Sequence, residues 1–211
     1  MKKKICALFD MDGVMIDTES QYDVIWKHLG DKYNIGIEDF EKIIKGTTLP
    51  NILKKYFSHL TQDELHSLEN ELDKFEAQMV YPEISGSVNF VKLLKENGYK
   101  VGLVTSSTNT KMAGVNKALQ FDQLFETIVS AERVVKGKPD PDCYLLAAKD
   151  LNVTPEECIV FEDSFAGVEA AIAAGMTVVG LSTTNSKESL EDKCATVIPD
   201  FKGLKISDLP L

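Results

Sequence analysis

The sequence lacks the features that mark several broad classes of protein. Acidic residues outnumber basic ones by 33 to 23, and the net charge of −10 argues against a nucleic-acid partner or an anionic membrane surface. The apolar run that follows Lys2, Lys3 and Lys4 ends at Asp10 after 5 residues, which is too short for a signal peptide. We therefore expect a cytoplasmic protein with no nucleic-acid or membrane partner.

Cysteine and histidine are also sparse, and they form no known metal-binding or redox pattern. The chain has 4 cysteines and 3 histidines, and neither type shows a pair at metal-ligand spacing. With 44% hydrophobic and 27% charged residues and no internal repeat, the composition is that of a globular protein. We predict reduced thiols at all four cysteines, which are Cys6, Cys143, Cys158 and Cys194.

A helical pattern occupies the stretch that follows the first predicted strand. The run Ile5 to Phe9 is typical of a buried strand, whereas apolar residues within positions 15–81 recur at spacings of three and four. Thr61 and Glu64 form a capping-box signature in this stretch, and one helix is predicted to end at Gly46. A connection of this length is too long for an ordinary crossover between strands. We therefore predict that residues 15–81 are an all-helical cap subdomain, inserted after the first strand.

After Pro82 the pattern changes to alternating strands and helices. Short apolar segments with strand character are separated by amphipathic helices, which is typical of βαβ units in a parallel sheet. Asp140 and Pro141 are predicted as the N-cap and first residue of one of these helices. The expected fold class is therefore α/β, with a Rossmann-like core of residues 1–14 and 82–211 in which helices flank a parallel β-sheet. The strands predicted after Pro82 are Lys100–Val104, Thr127–Val129, Cys158–Phe161, Thr177–Leu181 and Thr196–Ile198.

Chemically active side chains follow three of the predicted strands. Asp10 and Asp12 come after the first strand, and two such close carboxylates need a cation such as Mg²⁺ to offset their repulsion. Hydroxyl groups follow the second strand, two acids follow another, and Lys138 lies in a loop between them. Because the carboxyl ends of parallel strands meet at one edge, we expect these groups to converge, and together they suit phosphoryl transfer. The hydroxyl groups and the two acids belong to Thr105, Ser106, Ser107, Glu162 and Asp163.

These residues resemble the motifs of the haloacid dehalogenase-like (HAD) superfamily in type and in order. The family shows a strand followed by Asp-x-Asp-Gly, a strand ending in Ser or Thr, a lysine before proline, and a strand ending in two acids. The motifs span nearly the whole chain, and the helical stretch matches the family's cap, as in the group of β-phosphoglucomutases and sugar-phosphate phosphatases. In this sequence the motifs are Asp10-Met11-Asp12-Gly13, Thr105, Lys138-Pro139 and Glu162-Asp163.

The resemblance implies a role for each acid. Asp10 would be the nucleophile that forms an aspartyl-phosphate, and Asp12 would be the general acid and base. Mg²⁺ would be the cofactor, held by the Asp10 carboxylate, the Asp12 main-chain carbonyl and the Asp163 carboxylate. Glu162 would contribute to the metal site directly or through water.

The resemblance also implies a binding site for the transferring phosphoryl group. Thr105, the Ser106 backbone and Lys138 would hold this group, and Lys138 would offset the charge of Asp10 and the phosphate. The expected partner is a small phosphorylated metabolite of the sugar-phosphate type, and we expect the protein to be a monomer.

Residues in the helical stretch favour a phosphatase over a sugar-phosphate mutase. Mutases similar to β-phosphoglucomutase usually carry a histidine early in the first cap helix and an arginine after a Gly-x-Ser/Thr turn, where this chain has Tyr22 and Leu49. Without that arginine, a second phosphate would lose hydrogen bonds worth about 1.5 to 3 kcal/mol each. A dehalogenase would need no acid at Asp12. The mutase and a non-catalytic binding protein on the same fold stay alternatives to the phosphatase.

Overall fold

A six-stranded sheet forms the centre of the protein. The computed structural model describes residues 3–45 and 47–210. The strands within these residues are β1 Cys6–Phe9, β2 Lys100–Val104, β3 Thr127–Val129, β4 Cys158–Glu162, β5 Thr177–Leu181 and β6 Thr196–Ile198. They lie in the order β3-β2-β1-β4-β5-β6, and every neighbouring pair is parallel.

The first strand lies inside the sheet and is buried on both faces. Ala7 and Phe9 pack into one apolar layer, whereas Cys6 and Leu8 pack into the other. Successive side chains of a strand point to opposite faces, so a strand that is covered on both sides needs an unbroken apolar run. This requirement explains why β1 is apolar until the chain leaves the sheet at Asp10.

Among the residues that the structure describes, four helices follow the first strand and form an apolar core of their own. They are α1 Glu19–Lys32, α2 Phe40–Ile43, α3 Leu49–Tyr56 and α4 Gln62–Glu76. Aromatic side chains fill this core, among them Trp26 and Phe40, whose ring centroids lie 6.4 Å apart. The predicted capping box is confirmed, because Glu64 N donates to Thr61 Oγ1 and Thr61 N donates to the Glu64 carboxylate. The predicted helix end at Gly46 lies outside the described residues.

Two antiparallel segments connect this helical insertion to the sheet. Asp17 N donates to the Pro82 carbonyl at 2.8 Å, and Ile84 N donates to the Met15 carbonyl at 3.0 Å. The chain therefore leaves and rejoins the core through two paired segments, close to the positions at which we divide it into core and cap. That division stays a prediction.

The remaining helices cover both faces of the sheet. The layer that contains Phe9 includes α5 Ser87–Glu96, α6 Asn109–Leu119 and α7 Phe121–Leu124. The opposite layer includes α8 Asp142–Asp150, α9 Phe165–Ala173 and α10 Lys187–Leu190. A parallel sheet flanked by helices, with an inserted helical subdomain, confirms the predicted fold class.

Several smaller predictions can be compared with the structure. Helix α8 begins one residue later than predicted, with Pro141 as N-cap, because the Pro141 carbonyl accepts the first helical hydrogen bond, from Leu145 N at 3.0 Å. The Asp140 carboxylate accepts the backbone N–H of Asp142. The strand β4 extends one residue further than predicted and includes Glu162. All four cysteines are free thiols, as predicted. None of the helices in the described part of the chain is long and apolar enough to cross a bilayer.

Candidate active site

The carboxyl ends of three neighbouring strands bring the predicted residues together. Because β1 pairs with β2 on one side and with β4 on the other, Asp10, Thr105 and Asp163 follow three adjacent strands. Each of these three residues is at most 8% exposed. Lys138 reaches the same edge from the loop before α8 and is 2% exposed. Charged groups are thus concentrated in the interior at this edge of the sheet.

Lys138 connects two of the acids. Its Nζ donates to Asp10 Oδ1 and to Glu162 Oε1, each at 2.5 Å, and to the Val104 carbonyl at 3.3 Å. The Tyr144 ring centroid lies 5.2 Å from the same nitrogen. An ammonium group has three donors, so protein atoms occupy all of them. Lys138 therefore neutralises Asp10 from inside the protein, and direct contact with a phosphoryl group would require it to release one of these bonds.

Glu162 is completely enclosed by hydrogen-bond donors. Its Oε1 accepts from Lys138 Nζ and from the Tyr144 hydroxyl, the latter at 3.0 Å. Its Oε2 accepts from the Asp163 N–H, the Ser164 N–H and the Ser164 hydroxyl, each at 3.0 Å. Because both oxygens are occupied, Glu162 holds Lys138 and the turn after β4 in place.

Burial changes the pKa of the charged groups at this edge. It raises the pKa of Asp10 well above its ordinary value, against the opposing effect of Lys138. The pKa of Asp163 is raised by burial and by repulsion from Glu162 and Asp10. Burial acts to lower the pKa of Lys138, but the attraction of Asp10 and Glu162 outweighs it and raises this pKa. Asp10 and Glu162 thus share the Lys138 ammonium group, whereas Asp163 adds a third carboxylate that Lys138 does not contact. A cation would offset the remaining negative charge.

The same three carboxylates could hold a metal ion. One oxygen from each of Asp10, Glu162 and Asp163 lies within 4.8 Å of the others, and such oxygen ligands suit Mg²⁺. Asp10 and Asp163 are the better placed ligands, since the Glu162 oxygens already have donors. Gly13 lies against this cluster with a φ of +78°, and a Cβ there would lie 2.0 Å from Asp163 Oδ2. Only glycine therefore fits at this position.

The loop after β5 ties together the two turns that carry these acids. Thr183 Oγ1 donates to the Gly13 carbonyl at 2.5 Å, and Asn185 Nδ2 donates to the Asp163 carbonyl at 2.8 Å. Mg²⁺ requires a nearly ideal arrangement of its ligands, so contacts that fix the ligand-bearing turns support the geometry of the site.

Asp12 has a separate set of hydrogen-bond partners. Thr18 and Lys111 both donate to its Oδ1, Lys111 from 2.5 Å, while Ser107 donates to its Oδ2 from 2.9 Å. The Asp12 side chain is 15% exposed, whereas that of Lys111 is 0% exposed. Ser107 is itself held by a hydrogen bond from its N–H to Thr105 Oγ1 at 3.0 Å. Although only Met11 separates Asp10 from Asp12 in the sequence, the two side chains therefore lie in different hydrogen-bond networks.

A cavity of about 120 Å³ lies between this edge of the sheet and the helical insertion. Residues 105–108 and the acids after β1 and β4 line its core side. Lys45 lines the opposite wall, but its Nζ is paired with Glu19 at 3.0 Å and with Asp23 at 2.9 Å. This wall is acidic, since five carboxylates of the insertion line it: Glu19, Asp23, Glu41, Asp73 and Glu76.

The structure brings together all of the residues predicted for the site. The predicted residues that line the cavity are Asp10, Asp12, Thr105, Ser106 and Asp163, and Lys138 and Glu162 are buried beside Asp10. Tyr144, Asn185 and Lys111 were not predicted. Of these, Lys111 alone leaves a signal in the sequence, because it occupies the buried face of α6 four residues before Val115.

Comparison with known proteins identifies the family. The sequence profile described as haloacid dehalogenase-like hydrolase matches residues 7–181. The chain is 30% identical to validoxylamine A 7'-phosphate phosphatase of Streptomyces hygroscopicus subsp. limoneus, over 88% of this chain and 89% of that protein. It is 31% identical to β-phosphoglucomutase of Bacillus subtilis, over 83% and 82% of the two chains. It matches the crystal structure of a HAD hydrolase, family IA, variant 3, from Entamoeba histolytica with a TM-score of 0.80 and 26% identity, over 96% of each chain. The chain therefore belongs to the haloacid dehalogenase-like hydrolase family.

Proposed function

We propose that the protein is a Mg²⁺-dependent phosphatase that hydrolyses a small phosphorylated metabolite of the sugar-phosphate type through an aspartyl-phosphate. The observation that carries this proposal is the separation of Asp10 and Asp12 into two hydrogen-bond networks that face one cavity. Lys138 holds Asp10, whereas three other donors hold Asp12. Two carboxylates in different surroundings suit two different tasks, those of a nucleophile and a proton carrier.

The reaction has two steps in this proposal. Asp10 attacks phosphorus, the bond from phosphorus to the leaving oxygen breaks, and Asp12 gives that oxygen a proton. Asp12 then takes a proton from the water that attacks the aspartyl-phosphate, which releases phosphate and restores Asp10. Thr105 and the Ser106 backbone, which line the cavity, would bind the phosphoryl oxygens. Lys138, whose Nζ lies 2.5 Å from Asp10 Oδ1, offsets negative charge in both steps.

The metal site follows from the same residues. Mg²⁺ would be held by the carboxylates of Asp10 and Asp163 and by the main-chain carbonyl of Asp12. When bound, it would neutralise charge on the phosphoryl group and help to orient that group. Glu162 would act through water or through Lys138, because its own oxygens are occupied by donors.

The acidic wall of the cavity supports a phosphatase rather than a phosphomutase. A mutase must bind a second phosphate group, whereas Lys45 is already paired with Glu19 and Asp23 on that wall. The only arginine in the sequence, Arg133, is paired with Asp150 and is not among the described residues that line the cavity. An uncharged leaving group, such as a sugar hydroxyl, fits this wall better. The 31% identity to a β-phosphoglucomutase makes a mutase the second candidate.

The setting in which the enzyme acts is also part of the proposal. We propose that it works as a monomer in the cytoplasm, on a small molecule and without a nucleic-acid or membrane partner. The net charge of −10 supports the exclusion of polyanionic partners.

A phosphate-release screen tests the proposed reaction. Purified protein is incubated with a broad panel of phosphorylated metabolites, with Mg²⁺ and with excess chelator. We expect release that requires the metal and that falls by at least roughly 1000-fold in Asp10→Asn, since the nucleophile is lost. Asp122→Asn, at an exposed position on α7, is the matched control and should keep full activity.

The results of the screen separate the candidates. Interconversion of β-glucose 1-phosphate and β-glucose 6-phosphate would identify a mutase. Full activity in Asp10→Asn would contradict the nucleophile assignment. No release from any member of the panel would favour the non-catalytic binding protein.

A further inference from the structure

Lys111 is a fully buried lysine that the proposed reaction does not use. It lies in the first turn of α6 and is 1% exposed, although lysine is normally a surface residue. Its Nζ donates to Asp12 Oδ1 at 2.5 Å and lies 4.3 Å from the ring centroid of Tyr22. Tyr22 belongs to α1 of the insertion, and its hydroxyl donates to Glu76 at 2.7 Å. Lys111 is thus enclosed between the proposed proton carrier and an aromatic ring.

The partners of Asp12 distinguish its two oxygens. Oδ1 accepts from Thr18 and Lys111, and neither of these residues lines the cavity. Oδ2 accepts from Ser107, which does line the cavity. The carboxylate is therefore anchored by Oδ1 from behind, and Oδ2 is the oxygen that can exchange its partner for a group of the substrate.

Stability alone does not account for this buried ion pair. Replacing a buried pair by apolar side chains of similar size is often neutral or stabilising, because removing two charges from water is costly. A lysine at this position therefore calls for an explanation in terms of function. The fixed orientation that it imposes on Asp12 supplies one, since proton transfer requires the donor within hydrogen-bond reach of the leaving oxygen.

We propose that Lys111 is a positioning residue, which holds Oδ1 of Asp12 so that Oδ2 faces the leaving oxygen. This inference rests on the proposed phosphatase reaction. When Asp10 attacks and the bond from phosphorus to the leaving oxygen breaks, the proton on Asp12 Oδ2 passes to that oxygen. Tyr22 covers the ammonium group and keeps water from the ion pair.

Leaving-group dependence provides the test. A sugar alkoxide must be protonated as it leaves, whereas p-nitrophenolate leaves without a proton. In Lys111→Met we expect kcat/KM for the best sugar phosphate of the panel to fall by about 10- to 100-fold, a part of the usual contribution of general acid catalysis. We expect kcat/KM for p-nitrophenyl phosphate to fall by less than about 3-fold, because this ratio reports the steps up to phosphoryl transfer to Asp10. Lys117→Met, at an exposed position on the same helix, is the matched control and should change neither value.

A double variant shows whether Lys111 acts through Asp12. In the Asp12→Ala background, adding Lys111→Met should cause no further loss with the sugar phosphate, because the group that it positions is absent. Losses that are equal for both substrates, or that add to those of Asp12→Ala, would overturn the proposal. If melting curves show that Lys111→Met does not fold, Tyr22→Leu replaces it. The proposal would then be overturned if kcat/KM for the sugar phosphate fell no more than kcat/KM for p-nitrophenyl phosphate. These outcomes can be told apart from a failure of the phosphatase proposal, because in that case the wild type itself would release no phosphate.

Discussion

Replacement of Gly167 by alanine isolates the packing around Glu162. Gly167 lies in α9, and a Cβ at this position would lie 1.7 Å from Glu162 Oε1 and 2.4 Å from Oε2. Non-bonded carbon atoms normally keep about 3.5 to 4.0 Å of separation. The added methyl group therefore cannot be accommodated unless the Glu162 carboxylate moves.

Two opposing effects set the size of the change. Alanine is favoured over glycine inside a helix by about 0.8 to 1.0 kcal/mol. Against this, displacement of Glu162 breaks its hydrogen bonds with Lys138 and Tyr144, and disruption of a buried ion pair costs about 3 to 5 kcal/mol. We therefore expect Gly167→Ala to lower the free energy of unfolding by about 2 to 4 kcal/mol.

Urea unfolding measures this difference, with Gly114→Ala as the matched control. Gly114 lies in α6, where an added Cβ would lie 2.6 Å from the Tyr81 hydroxyl, the free end of a half-buried side chain that can rotate away. We expect Gly114→Ala to change the free energy of unfolding by less than about 1 kcal/mol, because displacement of the Tyr81 side chain offsets the helix preference for alanine. If Gly167→Ala proved as stable as the wild type, Glu162 would not be held as rigidly as its hydrogen bonds indicate.

Two further predictions concern the metal-bearing turns and the surface of the insertion. Asn185→Ala removes the hydrogen bond to the Asp163 carbonyl and should raise the dissociation constant for Mg²⁺ by about 10- to 100-fold in calorimetric titration, whereas Ser189→Ala on the exposed side of α10 should not. A hydrogen bond from Lys32 lowers the pKa of Glu71, so the stability that this pair contributes is present above the ordinary carboxylate pKa and is lost as the pH falls through the lowered value. Glu71→Gln should therefore be less stable than the wild type at about pH 7, by less than about 1 kcal/mol, and this difference should shrink as the pH falls below the ordinary carboxylate pKa. A stability difference between Glu71→Gln and the wild type that stays constant with pH would contradict the lowered pKa of Glu71.

The fold and the acidic residues of the site could be predicted because their signals are local. The unbroken apolar run of β1 follows from burial on both faces, and the position of Asp10 at the end of that run follows from the geometry of parallel sheets. The capping box at Thr61 and Glu64 is likewise contained in four consecutive residues.

The interactions that orient these acids could not be predicted in the same way. Tyr144 contacts Glu162 from α8, and Asn185 contacts Asp163 from the loop after β5, so each contact depends on how helices and loops pack on the sheet. Such pairs have no fixed spacing along the chain. Lys111 is the exception, because a lysine on the apolar face of a helix indicates a buried charge, although not the partner that it contacts.

The paired segments between the sheet and the helical insertion also affect how much the insertion can vary in size and sequence. Since Asp17 and Pro82 are hydrogen-bonded to each other, the insertion begins and ends at nearly the same point of the core. The entropic cost of closing a loop grows only with the logarithm of its length, so an insertion of a different size would change the stability of the core only slightly. Substitutions in the insertion can therefore change the acidic wall of the cavity while the sheet edge that carries Asp10 and Asp163 stays intact. Under the proposed function, the residues that contact the leaving group and the residues that carry out the chemistry therefore lie on separate parts of the chain.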